Sequence, residues 1–555
     1  MSVSYLEASR ELAKRDQGFR SKNLLSRIFL PLAKLFSAAP SAAKIFRRRS
    51  AGGAGQRSYD AAVESRATDG WSTNGASANA EIWGNVRPVR ERARDLKRNN
   101  PWIQKGCKLA TNIMVGDGIR PNCTAGTQRI KESAAAYAQR SANCAEANRL
   151  WNLQASKVDA VGNLSIYALQ ALAWDAMFSD GDVLQRRRWR SARDASLTLP
   201  YQIELLEADY LVEWKNQMLE DGGRIIQGIE FNKIGRPRKY WLYSQHPGDG
   251  WGPLDTAYSV DAIAAADIAH GYVRERPGQV RGMCQFAAAV IPARNYDDCT
   301  HSVRLTYRSS SNVIGVVSTT QTDDELFGTP DNDSAESSYP GAVVAADGTP
   351  LDEMRPATFA IMRNGSTCTF NNPQAPQGVR EYMKAELHGI AAAFALSYAM
   401  LSGDMDGTTY ATWRAQYAEC LEVFGNLREL HMIPTVCDPQ WRWHLEACFA
   451  AGLLPGVADD YPVEWSTPKP FGFDRNEEAK TSKDLVRIGQ SSTPREIRKM
   501  GDDPDVIFAE IVEFRAKCKA AGIVFDSDPN ETNLAGAPRI TEKAVVPAPT
   551  GEGAG

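Results

Sequence analysis

The chain reads as an α+β protein: a helical platform carries a small sheet, and two long helices further on bracket a β-rich insert. Three observations predict this. Residues 82–172 place apolar side chains mainly at helical spacing. Residues 182–243 break into short β-branched and aromatic runs punctuated by turns. From residue 284 to 433 the pattern runs helix, β-rich insert, helix, loop, helix. A length of 555 residues gives room for more than one compact region. The hydrophobic fraction of 43% and charged fraction of 24% are those of an ordinary folded protein. A net charge of -3 excludes a surface coated uniformly in basic residues and leaves room for a local basic patch.

Residues 1–60 form a basic arm and linker, in which "KIFRRRS" leads into the glycine-rich "AGGAGQRS". Basic residues outnumber acids in the arm, and "LLSRIFLPLAKLF" adds apolar residues that a purely solvating tail has no use for. An interaction tail is expected. The same run is the nearest approach to a membrane span, and Arg27, Pro31 and Lys34 interrupt it. No membrane segment and no secretory leader are expected.

The platform begins with "VRPVRERARDLKRN", and Pro101 marks the first turn of a second helix that Gly116 and Gly118 stop. "WNLQASKVDAVGNLSIYALQALAWDAMFSDGD" predicts two more helices ending at Asp180-Gly181. "DVLQRRRW", "YQIELLEADYL", "RIIQGIEFN" and "PRKYWLYSQ" predict strands, with "NKIGRPRKYW" turning a hairpin between the last two. A helix is expected from Met283 to Ser311. Strand-like "NVIGVVSTT" and "ATFAIMRNGSTCTF" then flank a polar insert. A helix from Val379 to about Met400 carries Tyr382, Met383, Leu387, Ile390 and Phe394 on one face, and a further helix covers "YATWRAQYAECLEVFGNLRELHMI". The C-terminal part predicts a proline-rich strand-like entry and two or three helices, then a disordered tail beyond about Asp526.

Candidate chemistry concentrates in "LSGDMDGTTY". The D-x-D-G-T pattern matches phosphatases that pass through an aspartyl-phosphate, with Asp404 as nucleophile and Asp406 as general acid. Such a nucleophile needs the tip of a buried strand, and the residues before Ser402-Gly403 are helical. A calcium loop fails because its bidentate acid position falls on Trp413. Neither a phosphate-cradling glycine motif nor a G-x-S-x-G elbow occurs. The ten cysteines include no C-x2-C pair, and free thiols are expected. His444 and Cys448 share a helix face at i, i+4 and read as a packed pair without a metal. No enzyme, cofactor or metal is expected. "QRRRWR" (Gln185 to Arg190) is the densest internal basic cluster; strand alternation puts its arginines on both faces, where acids of a neighbouring subunit could pair with them.

The ordered segments "RARDLKRNNPWIQKG", "VGDGIRPN", "IELLEADYL", "GIEFNKIGRPRKYWLYSQHPGD", "IAHGYVRERPGQVRGMCQF", "SGDMDGTTYATWRAQ" and "FDRNEEAK" resemble the lambda-type family of tailed-phage portal proteins. The likeness runs from about Trp83 to about Glu513. Two local departures are "TTYATWRA" in place of a serine-rich stretch and "DRNEEAK", which lacks a proline before its charged pair. The resemblance implies a ring of about twelve subunits at one capsid vertex of the virion, assembled in the host cytoplasm. It implies a wing over 61–283 and 411–480, stem helices over 284–312 and 379–400, a clip over 313–378, a crown over 481–526 and a tail over 527–555. Residues 401–410 become the tunnel loop, so that Ser402, Gly403, Asp404, Met405, Asp406, Gly407, Thr408 and Thr409 face passing DNA. Implied partners are double-stranded DNA without sequence specificity, a terminase, major capsid and scaffold proteins, and a head-tail connector. Two acids in that loop would repel phosphate and keep friction low, where lysines would grip it. The alternatives from other classes are a metal-dependent phosphatase through Asp404 and Asp406, and a basic-armed nucleic-acid-binding module.

Overall fold

The computed structural model describes residues 75–126, 132–191, 197–249, 259–318, 358–362, 378–468 and 475–523, together with residues 66, 69–71, 73 and 129. The chain divides into Met1–Gly75 and a compact body, Ala76–Gly555. The arm and linker expected over 1–60, the polar insert, and the tail expected over 527–555 lie outside the described residues.

The body opens with α1 (Ala78–Ile82), α2 (Val86–Asn99) and α3 (Pro101–Met114). Asn100 leaves the helical conformation, and its side-chain oxygen accepts the N–H groups of Trp102 and Ile103. Pro101 then occupies a first-turn position that needs no donor. The last carbonyls of α3 are capped from far along the chain. The Arg428 guanidinium donates to Met114 O at 2.8 Å and to Ile113 O at 2.7 Å. After β1 (Arg120–Cys123) come α4 (Ala134–Gln154) and α5 (Ile166–Ser179), each started by a serine cap.

Gly181, with φ +99°, turns α5 into β2 (Asp182–Trp189); a Cβ there would meet the backbone of Gly282 and Met283 at 2.9 Å. β2 lies between β3 (Tyr201–Glu207) and β9 (Ile268–Tyr272), antiparallel to both. A second sheet is the meander β4 (Gln217–Met218), β5 (Arg224–Ile226), β6 (Ile229–Phe231), β7 (Pro237–Tyr243) and β8 (Val260–Ala264). "RIIQGIEFN", expected as one strand, is the hairpin β5–β6. Gln227 (φ 48°) and Gly228 (φ 80°) make a two-residue turn of the hand that strand twist favours. The hairpin expected at "NKIGRPRKYW" is present, with Asn232 accepting the N–H groups of Ile234 and Arg236.

α6 (Val290–Asn312) starts later than expected. Ala287–Ala289 form a single 3-10 turn, and Cys284 and Phe286 are buried in the core. α6 runs straight into β10 (Val313–Ser318), which pairs parallel with β11 (Thr358–Met362), the two strand-like flanks of the insert. The helix expected over 379–400 is broken. α7 (Val379–Ala393) stops, Ala395 takes φ 54°, and Ser397 caps α8 (Tyr398–Ser402). The break lies beside a close packing contact: the Phe394 ring stacks on Phe286 at 4.8 Å, and a Cβ on Gly106 would meet it at 2.8 Å. Of the apolar face expected on this helix, Leu387, Ile390 and Phe394 are buried and Tyr382 is exposed.

Beyond residues 403–409, α9 (Tyr410–Leu427) continues through a π-helical stretch, Arg428–Cys437, into α10 (Asp438–Ala450). The helix expected to end near Ile433 therefore reaches Ala450, and Pro434, which has no N–H to give, falls inside the π turns. β12 (Val463–Ser466) returns to pair with β1, and α11 (Arg475–Arg487), α12 (Thr493–Lys499) and α13 (Pro504–Ala521) follow.

The main core lies where α2, α3, α5, α7 and α9 meet the start of α6. Rings link it end to end, from Phe424 through Trp174 and Phe178 to Phe286 and Phe394. Fully burying each such ring contributes about 2–3 kcal/mol. A buried ion cluster joins α2 to the three-stranded sheet. Asp182 accepts from Arg281 and His270, and Arg90 reaches Asp209 at 2.9 Å and Glu213 at 3.3 Å. Burial opposes the charge on Asp182, yet Arg281 and His270 hold its carboxyl well below the usual range.

Candidate functional site

Residues 402–409 link α8 to α9, and local chemistry fixes nearly all of them. Ser402 Oγ donates to Tyr398 O at 2.7 Å and accepts the Asp404 N–H at 3.0 Å. Gly403, at φ 77°, ends α8 in the left-handed conformation glycine adopts freely. Met405 O accepts the Thr408 N–H at 3.0 Å, closing a turn with Gly407 (φ 72°) at its third position. Thr409 caps α9 through the Thr412 N–H.

The two acids have different environments. One oxygen of Asp404 accepts the Asp406 N–H at 3.0 Å, and the other accepts the Tyr398 hydroxyl at 3.1 Å and lies 3.7 Å from Lys384 Nζ. The Asp406 N–H, the Tyr398 hydroxyl and nearby Lys384 and Arg380 hold its carboxyl below the ordinary value. Lys384 also sits 5.0 Å over the Tyr398 ring, and His388 stacks on that ring at 4.3 Å. Asp406 is exposed, as is Met405 beside it. Asp404 is thus the anchor of the loop, and Asp406 is an exposed charge with no ion pair among the described residues.

This geometry gives the aspartyl-phosphate reading no support. Asp404 follows a short helix instead of ending a buried strand, and Asp503 of "MGDDPD" caps α13. Two further sequence features, and one cluster that only the structure brings together, resolve in the same way. Two of the four arginines of "QRRRWR" pair within their own chain, Arg187 with Asp267 and Glu446, and Arg188 with Glu204. Intrachain acids thus occupy two of the positions, Arg187 and Arg188, that sequence alternation offered to a neighbouring subunit. His444 and Cys448 share one face, their side chains 3.6 Å apart, with Trp151 and Trp441 around the imidazole. Among the described residues, Glu207, Asp209 and His246 form the one cluster spaced for a metal, and Arg94 sits 2.8 Å from both carboxylates and supplies their counter-charge.

Sequence reasoning found the loop and missed what holds it. Lys384, His388 and Tyr398 come from two helices read as one, so no spacing rule could bring them under Asp404. Ser397, a cap residue three positions before Met400, was the available signal for the break.

A family model described as phage portal protein, lambda family, matches residues 64–428. The probable portal protein of Halomonas phage phiHAP-1 is 23% identical over 488 residues, covering 84% of this chain and 88% of that protein. The portal protein of Escherichia phage N15 is 21% identical over 492 residues, covering 82% and 88%. Among solved structures, the neck of an empty gene transfer agent particle aligns with 76% of this chain and 95% of that chain, at 13% identity and a TM-score of 0.37.

Proposed function

This chain belongs to the lambda family of phage portal proteins, and from that membership we propose a ring of about twelve copies at one capsid vertex, through which double-stranded DNA is packaged and ejected. The observation that carries the reading is the family match over 64–428, joined to the order of elements inside it. A long helix leaves the core, a strand-bounded insert follows, a helix returns, and a short loop with glycine at both its turns precedes the next helix.

In this reading α6 and α7 are the stem, and the insert between β10 and β11 belongs to the clip, where a terminase and later a head-tail connector dock. The platform of α2, α3, α5 and both larger sheets is the wing, and α11 to α13 are the crown. The basic arm contacts scaffold or major capsid protein. Ser402 to Thr409 face the channel, with Asp406 and Met405 outermost. The role is mechanical, and the terminase supplies the work. DNA contact is independent of sequence, because a conduit must pass any base.

The mass of the purified full chain by light scattering, with negative-stain images of the same sample, tests this. A particle of about twelve chains with a central hole is expected. A compact monomer or dimer that persists at high concentration would overturn it.

A further inference from the structure

We propose that Cys123 and Cys144 form a two-cysteine redox site, in which a hydroperoxide oxidises Cys144 and Cys123 resolves the product to a disulfide that staples β1 to α4. The inference stands apart from the ring reading above and does not depend on it.

The fold builds the pair. Arg140, Cys144 and Asn148 follow one another at a spacing of four along α4, so one face of that helix carries all three. This face grips β1 and the residues after it. Asn148 accepts the Cys123 N–H at 2.9 Å and donates to Cys123 O at 3.0 Å. Arg140 donates to Ala125 O and to Glu132. Cys144 stands one helical turn from each of these contacts. Both cysteines are buried in one apolar cluster, and the Cys123 thiol donates a hydrogen bond to the Cys144 sulfur.

Arg140 makes the two sulfurs unequal. The hydrogen bond from Cys123, with the Arg140 guanidinium one turn away, holds the Cys144 thiol below its usual value against the opposing effect of burial. The same hydrogen bond, together with burial, pushes the Cys123 thiol up. Cys144 is therefore the attacking sulfur and Cys123 the resolving one. In the first step the Cys144 sulfur attacks a peroxide oxygen. An S–O bond forms, the O–O bond breaks, and the leaving oxygen departs with the Cys144 proton as water or an alcohol. In the second step the Cys123 sulfur attacks the sulfenic sulfur. The S–S bond forms, the S–O bond breaks, and hydroxide leaves with the Cys123 proton as water. The two thiols give up two electrons in all and the peroxide takes them. Among reducing thiols the pair stays open. β1 pairs with β12 alone, over four residue pairs, so brief opening of this ribbon admits a small oxidant while the main core stays closed.

To test this, the reduced full chain is exposed to hydrogen peroxide, the remaining thiols are blocked with a maleimide, and an unreduced tryptic digest is read by mass spectrometry. A pair of peptides joined through Cys123 and Cys144, and lost on adding dithiothreitol, is expected. Its absence once the half-buried Cys299 and Cys518 have been oxidised would overturn the proposal. With dimedone present, Cys123→Ser should trap the sulfenic acid at Cys144, and Cys144→Ser should label Cys123 at least about fivefold less. Equal labelling of the two would overturn the assignment of attacking and resolving sulfurs. Circular dichroism checks that both variants fold, and where they do not, the linked peptide of the unaltered chain decides the matter. Closing the staple should also slow hydrogen exchange at the β1 and β12 amides by about tenfold. Unchanged exchange in the linked chain would reject the stapling role.

Discussion

Asp404 and Asp406 carry the same charge two positions apart and do different work. Asp404→Asn keeps the shape but weakens the links to Tyr398 and Lys384 that hold the loop. Hydrogen exchange at the amides of residues 403–409 should then speed up about 5- to 30-fold, with the core amides unchanged. Asp406→Lys leaves the anchor intact and puts a cation where phosphate passes. DNA retention by the assembled ring should then become more salt-sensitive, with a steeper slope of log affinity against log salt. Two backbone positions behave in opposite ways. Ala395 holds a left-handed conformation that costs a side-chain-bearing residue about 1 kcal/mol, so Ala395→Gly should raise the melting temperature slightly. Gly106→Ala should destabilise the protein by about 1–3 kcal/mol, because its Cβ meets the Phe394 ring at 2.8 Å and that ring is pinned against Phe286.

The element that ties the molecule together is the continuous helix from Tyr410 to Ala450 with its π-helical middle. Its first residues follow the loop, and Arg428 at the start of the π turns caps the carbonyl end of α3. Burial pushes the Arg428 guanidinium below its ordinary value, while Glu429 beside it favours the charge. Arg428→Met removes both hydrogen bonds and leaves the Ile113 and Met114 carbonyls without those donors. The expected loss is about 2–4 kcal/mol by denaturant titration. A loss under about 1 kcal/mol would show that water replaces the cap. The aromatic chain from Phe424 to Phe394 gives this helix a second route to the base of α6 and α7. Movement of the loop and movement of the two long helices therefore share one packed core.

Across the whole molecule, acid should loosen the body before it protonates the carboxylates. Burial lowers the pKa of His270 and takes that of His444 down to about 4, so His444 is neutral in the folded chain at neutral pH. Unfolded, each would bind a proton near pH 6.5. The His444 contribution is complete above that pH and is lost as pH falls from about 6.5 toward about 4, on the order of 3 kcal/mol. Denaturation midpoints measured across that window should fall, and His444→Gln should flatten the fall. The sequence by itself determined the mixed class, the Pro101 helix start, the Asn232 hairpin, the order of helix, insert, helix and loop, and the family likeness. Each of these rests on neighbours within one or two turns of chain or on motif order, which a linear reading can follow. Only the tertiary structure decided that the helix after Val379 breaks at Ala395, that "RIIQGIEFN" folds back on itself, that Arg428 caps α3, and that Asp404 is spent on Tyr398 and Lys384. Arg428 reaches Met114 from 314 residues away and Phe394 stacks on Phe286 from another element, contacts that spacing along the chain does not record, whereas the Gln227-Gly228 turn and the Ser397 cap are local signals that a linear reading could have used.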